Sequence, residues 1–197
     1  NFSTAVILFS MVIMLLFVGG YPLKYLFFIS TSALLVFILF VVTAKAFPDI
    51  IPNRVDTWAN RITNFNSAEK SENYQIERSK IAIASGGIYG KGAGKSVMKN
   101  FLPQSSSDFI YAIIVEEYGL IGGVILIILY ILLLFRIIVI FHKSESVFGK
   151  LLVVGLGVPI VFQAFINIGV TVQLFPVTGQ TLPLVSSGGT SAWMNFI

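Results

Sequence analysis

Residues 109–141 read FIYAIIVEEYGLIGGVILIILYILLLFRIIVIF, a stretch in which only Glu116, Glu117 and Arg136 carry charge. An apolar run that reaches about 20 residues can cross the roughly 30 Å hydrocarbon layer of a bilayer as a helix, with its backbone polar groups bonded inside the segment. Working outward, residues 25–44 and 151–172 have the same property. Residues 4–18 form a shorter apolar run, and another begins near Leu184 and is still apolar at Ile197. Hydrophobic residues make up 56% of the 197 and charged residues 11%, a balance that a water-facing surface does not tolerate. The expectation is an all-α polytopic membrane protein of about five spanning helices, one membrane domain over residues 1–197, with the last span cut short at 184–197. Opening on Asn1 and closing inside an apolar run, the sequence reads as a piece of a longer chain.

Composition also narrows function. Zero cysteines exclude disulfides and thiolate metal sites. The single His142 lies beside Lys143 at the end of a span and reads as an interfacial side chain rather than a ligand, so no metal-binding residues are predicted. A net charge of +4, scattered along the chain, does not suit nucleic acid and is ordinary beside anionic lipid. Neither end carries the pattern of a cleaved signal peptide, so insertion is expected to rely on the spans themselves.

Nine of the thirteen basic and six of the nine acidic residues stand between Lys45 and Asp108. This polar insertion between two spans, about 45–108, is the expected working part. Within it Val55, Trp58, Ile62 and Phe65 recur at helical spacing, which predicts a short helix on the membrane surface. Residues 73–85 predict a second helix, with Gly86 and Gly87 as its stop. The glycine-rich stretch that follows reads as flexible loop. Orientation comes from the short connections. Lys24, and Arg136, Lys143 and Lys150 around HKSESVFGK, fall on one side by alternation of spans, and the positive-inside rule places that side in the cytoplasm. The insertion is then outside.

GGIYGKGAGKS, residues 86–96, imitates a nucleotide-gripping loop. A Walker A loop needs a glycine five residues before the Gly of its Gly-Lys-Ser, so that successive N–H groups curl round the phosphates. Here that position is Tyr89, and nothing upstream reads as the strand that feeds such a loop. Nucleotide binding is not expected.

Asp108 stands where the most apolar helix begins. It can cap that helix, accepting from its first free amides. A carboxylate at the water–lipid boundary beside a cationic loop is also placed to act as a base on a polar substrate. Glu116 and Glu117 cost several kcal/mol inside an apolar helix unless they face protein, water or a cation. Glu116 lies about 12 Å along the axis from Asp108, so the two cannot form a glycosidase-like pair on one regular helix. A structural role is expected for both glutamates, through pairing with a basic residue or bonding to backbone where Gly119, Gly122 and Gly123 let other elements approach. LFPVTGQTLPLVSSGGTS, residues 174–191, suits a non-helical segment buried in protein or lining a cavity, against the alternative of a plain external turn.

Three stretches in order, SKIAIASGGIYGKGAGKS, LPQSSSDFIYAIIVEEYG and NIGVTVQLFPVTGQTLPLVSSGG, together resemble the FtsW/RodA (SEDS) family of bacterial peptidoglycan glycosyltransferases. The wording TGQTLP and SGGIYGKGAGKS is closer to the division branch than to the elongation branch. The resemblance implies about the last five of ten spans, in the bacterial cytoplasmic (inner) membrane, with the catalytic loop on the outer face. It implies polymerisation of lipid II, a polyprenyl-pyrophosphate-linked disaccharide-pentapeptide, into glycan strands during cell division. Asp108 falls on the family's essential loop aspartate. It would take a proton from the acceptor's 4-hydroxyl as that oxygen attacks the lipid-linked anomeric carbon, with inversion and loss of polyprenyl pyrophosphate. Arg78, Lys91, Lys95 and Lys99 become candidates for holding the pyrophosphate. Glu116, Glu117, Gln180, Ser186, Gly188 and Gly189 become supporting residues. A divalent cation, Mg or Mn, is a candidate cofactor. Implied partners are lipid II, the nascent glycan strand, a class B penicillin-binding transpeptidase and other divisome membrane proteins, with no nucleic acid or nucleotide. Two departures stand out: Ser187 replaces a tyrosine of the family's SYGG motif, and Gln104 and Ser106 replace acidic or His residues of its LPE-H segment.

Two rival readings remain at this level. A lipid II flippase or transporter would use intramembrane carboxylates and broken helices, with its charges at mid-membrane. A scaffold that only recruits partners would not need Asp108.

Overall fold

The computed structural model describes residues 2–46, 70–102 and 105–187. The predicted surface helix around Val55–Phe65, Gln104, and the glycines Gly188 and Gly189 lie outside the described residues. Among the described residues the regular elements are helical, with no strand. They are α1 (Phe2–Val18), α2 (Leu23–Ala46), α3 (Lys70–Gly86), a 3₁₀ turn (Met98–Asn100), α4 (Ile110–Lys143) and α5 (Val147–Thr171). Three of these, α2, α4 and α5, are long and apolar enough to cross a membrane, and Thr4–Val18 is a shorter apolar helix. The chain is an integral membrane protein.

Two tight connections set the topology. Gly19 and Gly20 end α1, with the Tyr21 amide returning to the Leu16 carbonyl at 2.9 Å, and Pro22 precedes α2. At the other, Ser146 caps α5 by accepting from the Gly149 amide at 3.0 Å. Both turns share one end of the bundle, because Gly19 faces the Leu151 side chain. The start of α1, the start of α4 and the end of α5 therefore share the opposite end, where α3 and the described segments 87–102 and 172–187 collect. Lys24 and the HKSESVFGK connection lie at the turn end, as alternation of spans requires.

The bundle core is small and sits toward the polar end. Tyr111, Val115 and Tyr130 of α4 pack with Ala164 and Ile168 of α5 and with Leu182. Small residues set the close approaches: Gly157 lies against Ile137, and Gly155 against Leu15. On the remaining faces of α1, α2, α4 and α5 large apolar side chains are exposed, as lipid-facing surfaces require.

The helix α4 is not the uninterrupted span expected from its sequence. At 34 residues it would run about 51 Å, well beyond the hydrocarbon layer. It breaks at Gly119, which takes φ 72° and ψ −174°. The part after the break, residues 120–143, is about 36 Å long and matches a tilted span. The break frees carbonyls before it and amides after it, and buried orphans of this kind need partners. The glycine-rich stretch supplies them. The Lys91 amide donates to the Glu116 carbonyl at 3.0 Å and the Gly92 amide to the Glu117 carbonyl at 2.9 Å. In return the Leu120 amide donates to the Gly87 carbonyl at 2.9 Å and the Ile121 amide to the Ile88 carbonyl at 3.3 Å. The stretch that reads as flexible in the sequence is thus pinned into the gap.

The fit leaves no room for side chains at the contact. A Cβ on Gly119 would overlap the Ile88 carbonyl, and one on Gly90 the Glu117 carbonyl. Gly119→Ala should therefore combine left-handed strain with loss of the loop pairing and lower stability by at least about 3 kcal/mol. Gly94 has a similar φ of 75° with open space around its Cβ position, so Gly94→Ala should cost only about 1–2 kcal/mol. Thermal unfolding of the two variants in detergent compares them directly, and equal losses would contradict the docked loop.

Candidate functional site

The loop does grip an anion, and the anion is the protein's own Glu116. This side chain is fully buried (0% exposed) one turn before the break. Lys91 Nζ donates to its Oε1 at 2.7 Å, and Ser96 Oγ to its Oε2 at 2.5 Å. The backbone amides of Val97 and Met98 add bonds at 3.3 and 3.2 Å, and Ser85 Oγ a longer one at 3.4 Å. Lysine, serine and successive amides on one anion are the components of a phosphate nest. Here they are assembled on a carboxylate, which supplies the partner that a charge in this helix requires.

The consequences run along the chain toward Asp108. Ser96 Oγ also accepts from the Lys99 amide at 3.1 Å and so opens the 3₁₀ turn. Ser105 Oγ donates to the Lys99 carbonyl at 3.0 Å, closing the segment that leads into α4. Met98, Leu102 and Val177 then pack around Phe109 and Ile113, next to Asp108 in the chain. Above this turn Arg78 of α3 places its guanidinium 4.9 Å from the Tyr74 ring centre and 5.7 Å from that of Phe101.

Asp108 itself is half-buried and does not cap α4. The cap residue is Phe109, and no side chain bonds at that cap. The helix begins one residue later than a cap at Asp108 requires, because Phe109 is drawn into the apolar cluster. Asp108 is held instead through its backbone: Asn167 Nδ2 donates to the Asp108 carbonyl at 2.8 Å and to the Gln180 carbonyl at 2.6 Å. Its carboxylate faces the fold-back segment that follows α5, where a Cβ on Gly179 would stand 3.7 Å from Asp108 Oδ2.

That segment, 172–187, is non-helical as its prolines and glycine suggest, and it covers the polar end of the bundle. Gln173 adopts a left-handed φ of 62° to leave α5, with the Leu174 amide returning to the Gly169 carbonyl at 2.7 Å. Gln163 Nε2 donates to the Thr181 carbonyl and Tyr130 Oη to the Pro183 carbonyl. Ser186 Oγ donates to the Ser107 carbonyl while accepting from the Leu182 amide, and the Ser187 amide reaches the Ser106 carbonyl. Gln180 Nε2 donates to Thr4 Oγ1 and ties the segment to the start of α1. Beside it an apolar groove of about 430 Å³ runs between α1 and α5, lined by Val6, Ile7, Phe162, Phe165, Ile166, Phe175, Pro176 and Thr178.

Among the residues singled out from sequence, Asp108, Gln180 and Ser186 meet at this end. Glu116 and Lys91 form a separate pair beneath the loop, Lys95 and Lys99 are exposed, and Arg78 stacks on aromatic rings. Glu117 is half-buried and enters the loop pairing through its carbonyl. The sequence reading passed over Asn167, which is 1% exposed, and Ser79 and Thr171, both fully buried. Ser79 Oγ donates to the Thr171 carbonyl and Thr171 Oγ1 to the Asn167 carbonyl, which joins α3 to the Asp108 support. A lone Asn in an apolar helix is the signal that could have found it, since its burial requires partners.

Comparisons with known proteins agree with this arrangement. A family model described as Cell cycle protein, FtsW/RodA/SpoVE, matches residues 1–197. A probable peptidoglycan glycosyltransferase FtsW of Saccharophagus degradans is 35% identical over 97% of this chain and 48% of its own length. Stage V sporulation protein E of Bacillus subtilis is 34% identical over 97% of this chain and 50% of its own. The chain spans about half the length of the curated relatives it matches. A chain of a solved peptidoglycan synthase complex, studied for its coordination of polymerization and crosslinking, aligns with a TM-score of 0.61. It is 25% identical and covers 97% of this chain and 52% of that one.

Asn167 should be intolerant of change for a specific reason: its amide faces two carbonyls. Asn167→Leu leaves both unpaired and should lower stability by about 2–4 kcal/mol, and Asn167→Asp should do no better, since an acceptor then faces acceptors. Unfolding midpoints in detergent read both, and a harmless Asn167→Asp would contradict the assignment.

Proposed function

Given a chain that belongs to the FtsW/RodA/SpoVE family of cell cycle proteins, we propose that the protein it represents polymerises lipid-linked disaccharide units into peptidoglycan glycan strands during bacterial cell division. The observation that carries this reading is the placement of Asp108. A half-buried carboxylate, fixed through its backbone, stands at the polar end of a membrane bundle and faces Gly179, next in the chain to Thr178 of the apolar groove. The relatives named as peptidoglycan glycosyltransferases support it.

In this mechanism Asp108 takes the proton of the acceptor hydroxyl as that oxygen attacks the anomeric carbon of the lipid-linked strand. The anomeric configuration inverts and polyprenyl pyrophosphate leaves. The departing pyrophosphate gains charge in the transition state, so cations at the rim contribute most there. Lys95 and Lys99, exposed on the docked loop, suit that role. Lys91 suits it less, because its ammonium already neutralises Glu116. The groove that ends at Thr178, beside Gly179, offers an apolar path next to the carboxylate for the lipid part of a substrate.

The fuller assembly belongs to the same proposal: a ten-helix fold, the inner membrane with this site on its outer face, and a transpeptidase partner. Among the described residues no three His, Cys, Asp or Glu side chains gather. Asp108 is assigned to the proton, so a Mg or Mn ion would be held mainly by the substrate's own phosphate oxygens, adding positive charge beside the pyrophosphate. A flippase would need a carboxylate free to meet its cargo, and the buried Glu116 is committed to the loop instead.

The test is lipid II polymerisation by the full-length protein. Asp108→Asn keeps the side-chain shape and removes the base, so kcat should fall at least about 100-fold with folding intact. Lys95→Gln with Lys99→Gln should instead raise KM, with a smaller loss in kcat. Near-normal glycan chains from Asp108→Asn would overturn the assignment.

A further inference from the structure

We propose that Glu116 is a positioning residue for this site: a buried internal anion that fills the place a phosphate would take in a glycine–lysine loop, and thereby sets where the loop's outer lysines stand relative to Asp108. The inference rests on the reaction proposed above for its kinetic consequence, and on geometry alone for the latch.

Three observations carry it. First, apart from the longer bond from Ser85, the donors on Glu116 come from one continuous stretch, Lys91 to Met98, so one carboxylate fixes both ends of the segment that carries Lys95. Second, that stretch is also docked by backbone pairing into the break at Gly119, three residues further along the same helix. Side-chain and main-chain contacts thus specify one register. Third, the far end is tied toward Asp108. Ser96 bonds the Lys99 amide, Ser105 bonds the Lys99 carbonyl, and the turn packs on Phe109 beside Asp108.

The charge balance explains why the latch needs both partners. Lys91 is 32% exposed and Glu116 not at all, so the lysine can reach water while the glutamate cannot. Removing Lys91 leaves a buried charge without its cation, whereas removing both charges does not. Glu116 itself touches no reacting atom in this scheme. Its effect reaches the substrate only through loop position, which predicts a change in binding rather than in the chemical step.

The experiment uses the full-length protein carrying Ile88→Cys and Ile121→Cys, two exposed positions joined by a backbone hydrogen bond, and this chain has no cysteine of its own. Oxidative cross-linking of this pair reads the docked loop without any assay of activity. In the Glu116→Gln background the cross-link yield should fall at least about threefold. In the same substitution without the cysteines, KM for lipid II should rise at least about fivefold while kcat stays within about twofold. Lys91→Met should be worse than the double variant Glu116→Gln/Lys91→Met on both readouts. Unchanged cross-linking in Glu116→Gln would overturn the latch. Lost cross-linking with unchanged KM would overturn the positioning role, and a fall in kcat at constant KM would do the same by making Glu116 a participant in the chemistry. If Asp108→Asn polymerises normally, the reaction reading fails while the cross-linking arm still decides the latch.

Discussion

The structure depends on how a broken membrane helix satisfies its backbone. An interruption in a helix packed inside a membrane bundle exposes carbonyls and amides, and each one left buried without a partner costs about 1–3 kcal/mol. In this chain the gap at Gly119 is closed by another part of the same polypeptide, running alongside it with reciprocal bonds to residues 116, 117, 120 and 121. The break divides α4 into a protein-embedded first part, where Tyr111–Ile113, Val115 and Glu116 are buried, and a second part exposing large apolar residues such as Leu129 and Leu132. The loop, the buried glutamate and the site at Asp108 are all placed by that division.

Two polar networks result, at neighbouring positions and with different work. One is centred on Glu116 and organises the glycine loop. The other is centred on Asn167 and joins the Asp108 backbone to the fold-back segment and, through Thr171 and Ser79, to α3. In the proposed reaction Asp108 acts on substrate and so cannot also be used up as a structural acceptor. Here the structural carboxylate is Glu116, and Asp108 is held through its carbonyl, which leaves its side chain beside Gly179.

Much of this was legible in the sequence, and the failures have identifiable causes. The apolar runs gave the spanning helices because hydrocarbon imposes a length and a composition that few other environments do. The non-helical fold-back was legible because two prolines and a glycine within a polar run do not continue a span. The break at Gly119 was not, since a glycine within an apolar helix is common and the φ that it takes depends on Ile88 and Gly90, some thirty residues away. The loop reads as flexible for the same reason: its glycines permit many conformations, and only the opposing carbonyls select one. The expected cap at Asp108 failed because burial of Phe109 shifted the helix start. Lys91 and its neighbours looked alike as cations on a loop, and only the position of Glu116 distinguishes the structural lysine from the exposed ones.

Amide hydrogen exchange in the detergent-solubilised full-length protein tests the docked loop most directly. Leu120 and Ile121 lie just past a helix break, and Lys91 and Gly92 lie in a glycine-rich loop, so each would exchange quickly if its only partner were water. Docking predicts slow exchange at all four, lost together when Gly119 is replaced by Ala. Fast exchange at Lys91 and Gly92 in the unaltered protein, with α4 protected on both sides of Gly119, would contradict it.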